Sequence, residues 1–304
     1  MTRMTLAVAA AAVAVLGATA AAQQQPDYSK VQIKTTDLGN RTYMLEGQGG
    51  NITVAVGDDG VIMVDGEFAP LHDKIKAAVA AVSKQPIKYL INTHFHGDHT
   101  GGNEPFAKDG AIVVAHQAVK TRLAAGTTNG LSGVKTPPVP ADALPKQVYT
   151  DAMTLQVKGR TAQLKHIANA HTDGDTYVYF ADANVLSTGD IVTFGRYPNI
   201  DFANGGNVKG VLDGCDTFLK LANATTKIVP GHGELATKAD LMAYRAMIQT
   251  ARDRIAKLIA DGKSADQAVA AKPFADMDAK VGANDMASAN FVRVIYFSLK
   301  PKQG

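Results

Sequence analysis

The chain has 304 residues, 46% of them hydrophobic and 19% charged, with 31 basic against 28 acidic side chains. Such a composition supplies apolar material for a sizeable core and excludes disorder over most of the length. The charge balance, a formal +3, builds no long-range field for a nucleic acid, so no nucleic-acid partner is expected and a small-molecule substrate is.

The first stretch, "MTRMTLAVAAAAVAVLGATAAAQQQ", carries Arg3, then an apolar run from Leu6 to Leu16, then small residues before glutamines. It reads as a cleaved secretory signal over residues 1–22, ending at Ala22. The competing reading is a membrane anchor, but a span needs roughly 18 strongly apolar residues and this run is short and mostly alanine. The expectation is therefore a periplasmic or secreted protein with no stable membrane anchor after cleavage. One cysteine, Cys215, rules out an internal disulfide. It sits in "VLDGCDTFLKLA", a helical pattern, where a buried small hydrophobe is the expected role.

From residue 31 to 66 the pattern predicts short strands, "VQIKTT", "RTYMLEG", "NITVAVG" and "GVIMVDG", separated by "LGN", "GQGG" and "GDDG". A helix follows in "LHDKIKAAVAAVSK", with Leu71, Ile75, Val79 and Val82 on one face, then the strand "IKYLIN". That strand runs straight into "THFHGDHTGGN", with His94, His96, Asp98 and His99 crowded into six positions. After it come the strand "GAIVVA", the helix "HQAVKTRLAA" and a Gly/Thr/Pro-rich stretch over 125–146, long enough to be a wall or lid of a site. A second run of strands is "VYTDAMTLQV", "TAQLKHIA", "DTYVYFA" and "NVLSTGDIV". A helix around 208–222, the strand "TKIVP" and a helical C-terminal region complete the chain. In that region Leu241, Tyr244, Ile248, Ala251, Ile255 and Leu258 recur at helical spacing as a core stripe. Strands and helix, then strands and helix again, predict two sheets packed face to face with helices outside and pseudo-duplicated halves.

Imidazole and carboxylate donors are what zinc prefers, and a catalytic site leaves a position open for water. His94 and His96, two apart on an extended segment, can project the same way and share one ion. Asp98 and His99 come after Gly97, whose freedom lets the backbone turn them to a second ion. Three further candidates lie at strand ends: His171 in "NAHTDGD", Asp190 in "STGD" and His232 in "PGHG". Any one alone would pass for a cap or turn residue. His72, His116 and His166 are assigned to structure or surface, with His72 on a solvent face and His166 the one that could support a ligand from behind.

The motifs "THFHGDHTGGN", "AHTDGD", "STGD" and "PGHG", in that order between about Asp37 and His232, resemble the metallo-β-lactamase-fold hydrolase superfamily. The resemblance implies an α/β (α+β) fold, an αββα sandwich of two mixed sheets flanked by helices, with metals at one edge. It implies a single domain over 23–304 with a helical C-terminal region from about 238. His94, His96 and His171 would hold one ion, Asp98, His99 and His232 a second, and Asp190 would bridge them. The implied cofactors are two Zn2+ per chain, with iron or manganese as alternatives, and a metal-bridging hydroxide that attacks an amide, ester or related bond. Asp98 is the expected catalytic residue, orienting the nucleophile or passing its proton to the leaving group. β-Lactamases of the superfamily usually carry Cys or Ser where Asp190 stands. The aspartate is typical of glyoxalase-II-like, lactonase and phosphodiesterase relatives and counts against efficient β-lactam hydrolysis, whereas export to the periplasm counts for it; a broad hydrolase able to show weak β-lactamase activity ranks above a dedicated lactonase or thioesterase. A mononuclear iron persulfide-dioxygenase-like enzyme ranks lower, because the second ligand set is complete, and a metal-dependent relay without turnover lower still. The segment 195–206, with Arg196 and Tyr197, is a candidate wall or anion contact, with a surface turn as the equal alternative.

Overall fold

The structure is a computed structural model that describes residues 27–300; the signal assigned to 1–22 lies outside them. In chain order the strands of the first half are β1 (Lys34–Gly39), β2 (Thr42–Glu46), β3 (Ile52–Val56), β4 (Val61–Val64), β5 (Ile87–Asn92) and β6 (Ile112–His116). Helices α1 (His72–Val82), α2 (Gly97–Thr100), α3 (Asn103–Lys108) and α4 (Gln117–Ala125) lie between and after them. A small hairpin, β7 (Thr127–Thr128) with β8 (Lys135–Thr136), precedes β9 (Gln147–Tyr149). The second half contains β10 (Ala152–Val157), β11 (Arg160–His166), β12 (Thr176–Phe180), β13 (Val185–Ser187), α5 (Val208–Leu221) and β14 (Lys227–Val229). Helices α6 (Lys238–Ala260), α7 (Ala265–Ala270), α8 (Ala275–Asp278) and α9 (Asp285–Leu299) close the chain.

Two sheets result, ordered β1-β2-β3-β4-β5-β6-β9 and β10-β11-β12-β13-β14. Each begins as an antiparallel meander and ends on parallel strands: α1 crosses from β4 to β5, and α5 crosses from β13 to β14. The expected repetition of strands then helix is thus a repetition of topology. The run "VYTDAMTLQV" is two strands, because Thr150 and Asp151 carry the chain from the first sheet to the second. Only two polar residues, with no glycine or proline, separate the strand-forming runs, which hid the change of partner.

Burial explains the layering. On β4, Ile62 and Val64 face Leu164, Val178 and Phe180 of the second sheet, while Val61 and Met63 face Ile75, Val79 and Phe106 of α1 and α3. A strand covered on both faces reads as a continuous apolar run, as "VIMV" does. The outer face of the second sheet is covered by α5, α6 and α9, where Leu241, Tyr244, Ile248, Ala251 and Ile255 form the expected buried stripe. Thr237 and Asp240 cap α6 reciprocally and fix where it starts. Cys215 is buried in this layer, its thiol pushed up to about 12 by burial, so it is core and no nucleophile. Among the described residues no helix is long and apolar enough to cross a membrane.

The bland histidines are structural. His72 is not on a solvent face: its side chain is 14% exposed, held between Asp73 and Asp109 and edge-on to Phe106. His116 and His166 stack at 3.8 Å with an interplanar angle of 6° where the chain changes sheets. His116 Nε2 donates to the Thr150 carbonyl, and its Nδ1 caps α4 by accepting from Ala118 N–H. Burial, then the neighbouring His166, lowers the His116 pKa from its ordinary 6.5. The unfolded chain therefore takes up a proton that the folded chain refuses, and stability is lost as pH falls below 6.5 towards the folded value. His116→Asn keeps an acceptor for the α4 cap and removes this titration. Its urea midpoint is expected to fall less than the parent's between about pH 7.5 and about pH 5.5, and equal falls contradict the assignment.

Candidate metal centre

β5 ends at Asn92, the chain bends over residues 93–95 and is extended again at His96, so His94 and His96 leave the sheet edge close together. The turn that follows is helical: α2 starts at Gly97 and presents Asp98 and His99 from its first turn. Gly97 does not take a positive φ and has open space around a would-be Cβ, so the turn comes from the helix start and not from glycine's freedom. His171 comes from the turn before β12, Asp190 from a single 3-10 turn (Gly189–Ile191) after β13, and His232 from the loop between β14 and α6. All seven expected residues meet at one edge of the sandwich.

Three groups of ligand atoms form there: His94, His96 and His171; His94, His99 and Asp190; and Asp98, His99 and His232. His171 Nε2 lies 2.9 Å from His96 Nδ1, and His99 Nε2 lies 3.3 Å from His232 Nε2. Asp190 stands between the groups, with Oδ1 at 3.2 Å from His99 Nε2 and 3.4 Å from His232 Nε2, and Oδ2 at 3.8 Å from His171 Nε2. Asp98 Oδ2 lies 3.2 Å from His232 Nε2. Gly231 is required beside this carboxylate, since a Cβ would fall 2.0 Å from Asp190 Oδ1. Gly50 is likewise required, because a Cβ there would meet the His99 ring at 2.1 Å.

On four of the five rings the nitrogen that points away from this centre has a partner. His99 Nδ1 donates to Asp65 Oδ2 at 2.8 Å and His96 Nε2 to Asp201 Oδ2 at 3.0 Å. His171 Nδ1 donates to the Asn199 carbonyl at 2.6 Å. Thr93 Oγ1 gives its own proton to Asp65 and so accepts from His94 Nδ1 at 3.1 Å. Each of these four rings then turns a nitrogen lone pair inward. Facing lone pairs at 2.9 Å repel unless a cation lies between them, and buried His94 Nε2 and Asp190 Oδ1 have no hydrogen-bond partner. Burial, followed by the neighbouring His99 and His171, holds His94 well below its ordinary pKa. Burial and then His96 lower His171 to about 4. Burial also opposes charge on His99, but Asp190, Asp65 and Asp98 outweigh it and hold that ring well above its ordinary value. The centre thus refuses protons on one side and demands positive charge on the other, which suits divalent ions on N and O donors.

Sequence reasoning missed Asp65, Thr93, Asn199 and Asp201. Asp65 closes the strand run "GVIMVDG" in a left-handed conformation, φ 64°, where an aspartate before glycine looks like an ordinary turn residue. Asn199 and Asp201 lie in the suspected segment 195–206, so it supports the histidines from behind. Within it Tyr197 is buried, stacked on Phe291 at 4.2 Å with its hydroxyl on Asp278, and forms no wall of the site. The 125–146 stretch reaches the centre through Asn204, whose amide donates both to the Thr128 carbonyl and to Asp201.

The sequence pattern described as Metallo-beta-lactamase superfamily matches residues 45–235, more than half of the chain, and includes all seven residues. The chain belongs to the metallo-beta-lactamase superfamily. The two-sheet layout agrees with a metallo-beta-lactamase from Pontibacter korlensis: TM-score 0.59, 17% identity, covering 72% of this chain and 99% of that one. Among curated proteins the chain is similar to the 2,4-dinitroanisole O-demethylase subunit alpha of Nocardioides sp., 28% identical over 49% of this chain and 43% of the relative. It is also similar to the hydroxyacylglutathione hydrolase of Polaromonas sp., 31% identical over 40% of this chain and 46% of the relative. These matches span less than half the length of either curated relative.

Superfamily membership leaves the role of Asp65 to be tested. Asp65→Asn frees His99 to rotate or change tautomer, and metal affinity is expected to fall about 10- to 100-fold in competition with a chelating dye. An unchanged affinity would show that Asp65 only supports the strand end.

Proposed function

We propose that this chain is an exported, metal-dependent hydrolase that holds two zinc ions and cleaves an ester, amide or related bond of a small molecule. One observation carries the reading: four imidazoles have their outer nitrogens occupied, and their inner nitrogens converge on Asp190 and Asp98 at one sheet edge. His94, His96 and His171 would hold one ion, Asp98, His99 and His232 the other, with Asp190 between. Bound there, the metals would supply a water acidified to near neutrality and a Lewis acid for the scissile carbonyl.

The chain's own groups do the rest. Asp98 is the most open carboxylate of the centre, 32% exposed at the side chain against 11% for Asp190. Burial raises its pKa, but His99 and His232 together hold it well below the carboxylate range, so it stays ionised. An ionised, solvent-facing carboxylate can accept a hydrogen bond from the attacking water and orient it. Asp65, Thr93, Asn199 and Asp201 fix the rings, so little reorganisation is needed during reaction. An aspartate at position 190, in place of the cysteine or serine usual in β-lactamases, supports a broad hydrolase with β-lactam turnover secondary. Similarity to a hydroxyacylglutathione hydrolase supports the same class. The leader 1–22 supports export to the periplasm.

The test is a hydrolysis panel of β-lactams, lactones, thioesters and phosphodiesters, run with and without chelator. At least one class is expected to turn over and to stop with chelator. Asp98→Asn is expected to keep its circular dichroism and lose roughly 100-fold or more of that turnover. Oxygen uptake by a one-iron protein, or near-normal turnover in a well-folded Asp98→Asn, overturns the reading.

A further inference from the structure

Residues 47–51, the loop that leads from β2 into β3, run along the second ligand group. Gly50 N–H donates to the Asp98 carbonyl at 3.0 Å, and Gly50 itself packs on the His99 ring, where a Cβ has no room. One position on, buried Asn51 turns all three of its N–H groups towards the loop that carries His232. Its backbone N–H donates to the Gly231 carbonyl at 2.8 Å, and its side-chain amide donates to the Pro230 carbonyl at 3.0 Å and the Gly233 carbonyl at 2.8 Å. Only the amide nitrogen can face two carbonyl oxygens, so the orientation of this side chain is fixed.

The loop is itself pinned. The side chain of buried Glu67 accepts from the Gln48 and Gly49 N–H groups, both at 3.0 Å on Oε2, while its backbone carbonyl accepts from Gly102 N–H at 3.0 Å, just past α2. Gly66 N–H donates to the His99 carbonyl at 2.9 Å. One continuous set of backbone and side-chain bonds thus joins the turn presenting Asp98 and His99 to the loop presenting His232, which comes from the other sheet.

This set matters most for His232. The rings of His94, His96, His99 and His171 are aimed by bonds to their outward nitrogens. His232 has no such bond to a described residue, so its aim comes from the backbone on either side, which Asn51 holds at residues 230, 231 and 233. Among the described residues, 47–51 makes no hydrogen bond to His94, His96 or His171.

We infer that Asn51, on a loop pinned by Glu67, is the positioning residue of the second metal site: it holds His232 in register with Asp98 and His99, and the first site does not depend on it. The inference rests on the two-site reading above.

The test loads the metal-free full chain with cadmium-113 and follows the bound metal by NMR. The parent is expected to give two resonances at saturation, and the one missing from His232→Ala belongs to the second site. Asn51→Asp keeps the shape of the side chain but sets an oxygen against the Pro230 and Gly233 carbonyls. In this variant the first-site resonance is expected to stay in place, while second-site affinity, measured in competition with a chelating dye, falls at least about tenfold. Asn51→Ala removes both amide donors without adding charge; it is expected to behave alike and carries the test if the aspartate variant does not fold. Parent-like affinity at the second site of a folded variant, or equal weakening of both sites, overturns the assignment. A parent that takes up one ion at saturation overturns the two-site reading, and the assignment with it.

Discussion

The outward hydrogen bonds of His94, His96, His99 and His171 are the constraint on which the centre depends. An imidazole carries one proton when neutral, and whichever nitrogen holds it cannot bind a cation. Asp65, Thr93, Asn199 and Asp201 place those protons on the far side of four rings, so the inner lone pairs face one another across about a hydrogen-bond length. Packing of this kind is unfavourable until positive charge is added. The buried carboxylate of Asp65 and the half-buried one of Asp190 sharpen the demand, because both set negative charge beside His99.

The scaffold sustains this arrangement by spreading its supports over distant parts of the chain. His94, His96, Asp98 and His99 come from the first sheet, His171, Asp190 and His232 from the second, so the centre joins the two sheets at their edge. The apolar layer between the sheets, with Ile62, Val64, Leu164, Val178 and Phe180, fixes their separation. C-terminal helices contribute at one remove. Tyr244 of α6 donates to the Ile191 carbonyl beside Asp190, and Tyr197 stacks on Phe291 of α9, steadying the segment that carries Asn199 and Asp201. A helical region whose sequence showed only a core stripe is in this way a brace for the metal centre.

Much of the centre was legible in the sequence because its donors occur in short motifs at strand ends, where chemistry-bearing residues stand out from core patterning. "HFHGDH" could be divided between two groups, and "AHTDGD", "STGD" and "PGHG" supplied the remainder. Asp65 was not legible: it acts on His99 from 34 positions away, and an aspartate before a glycine has a sufficient local explanation as a turn. Asn199 contributes a backbone carbonyl, which carries no residue signature at all. The division of "VYTDAMTLQV" between two sheets was hidden because strand-forming residues stand on both sides of Thr150 and Asp151 while the pairing partner changes. Gly97 misled for the opposite reason, since the backbone there is an ordinary helix start.

The central claim is that the seven side chains form two metal sites sharing Asp190. Crystals grown after zinc loading, with diffraction recorded on either side of the zinc absorption edge, test it most directly. The account predicts two anomalous peaks per chain, one against His94, His96 and His171 and one against Asp98, His99 and His232, with Asp190 touching both. A single peak, or none in a crystal of fully loaded protein, would contradict it.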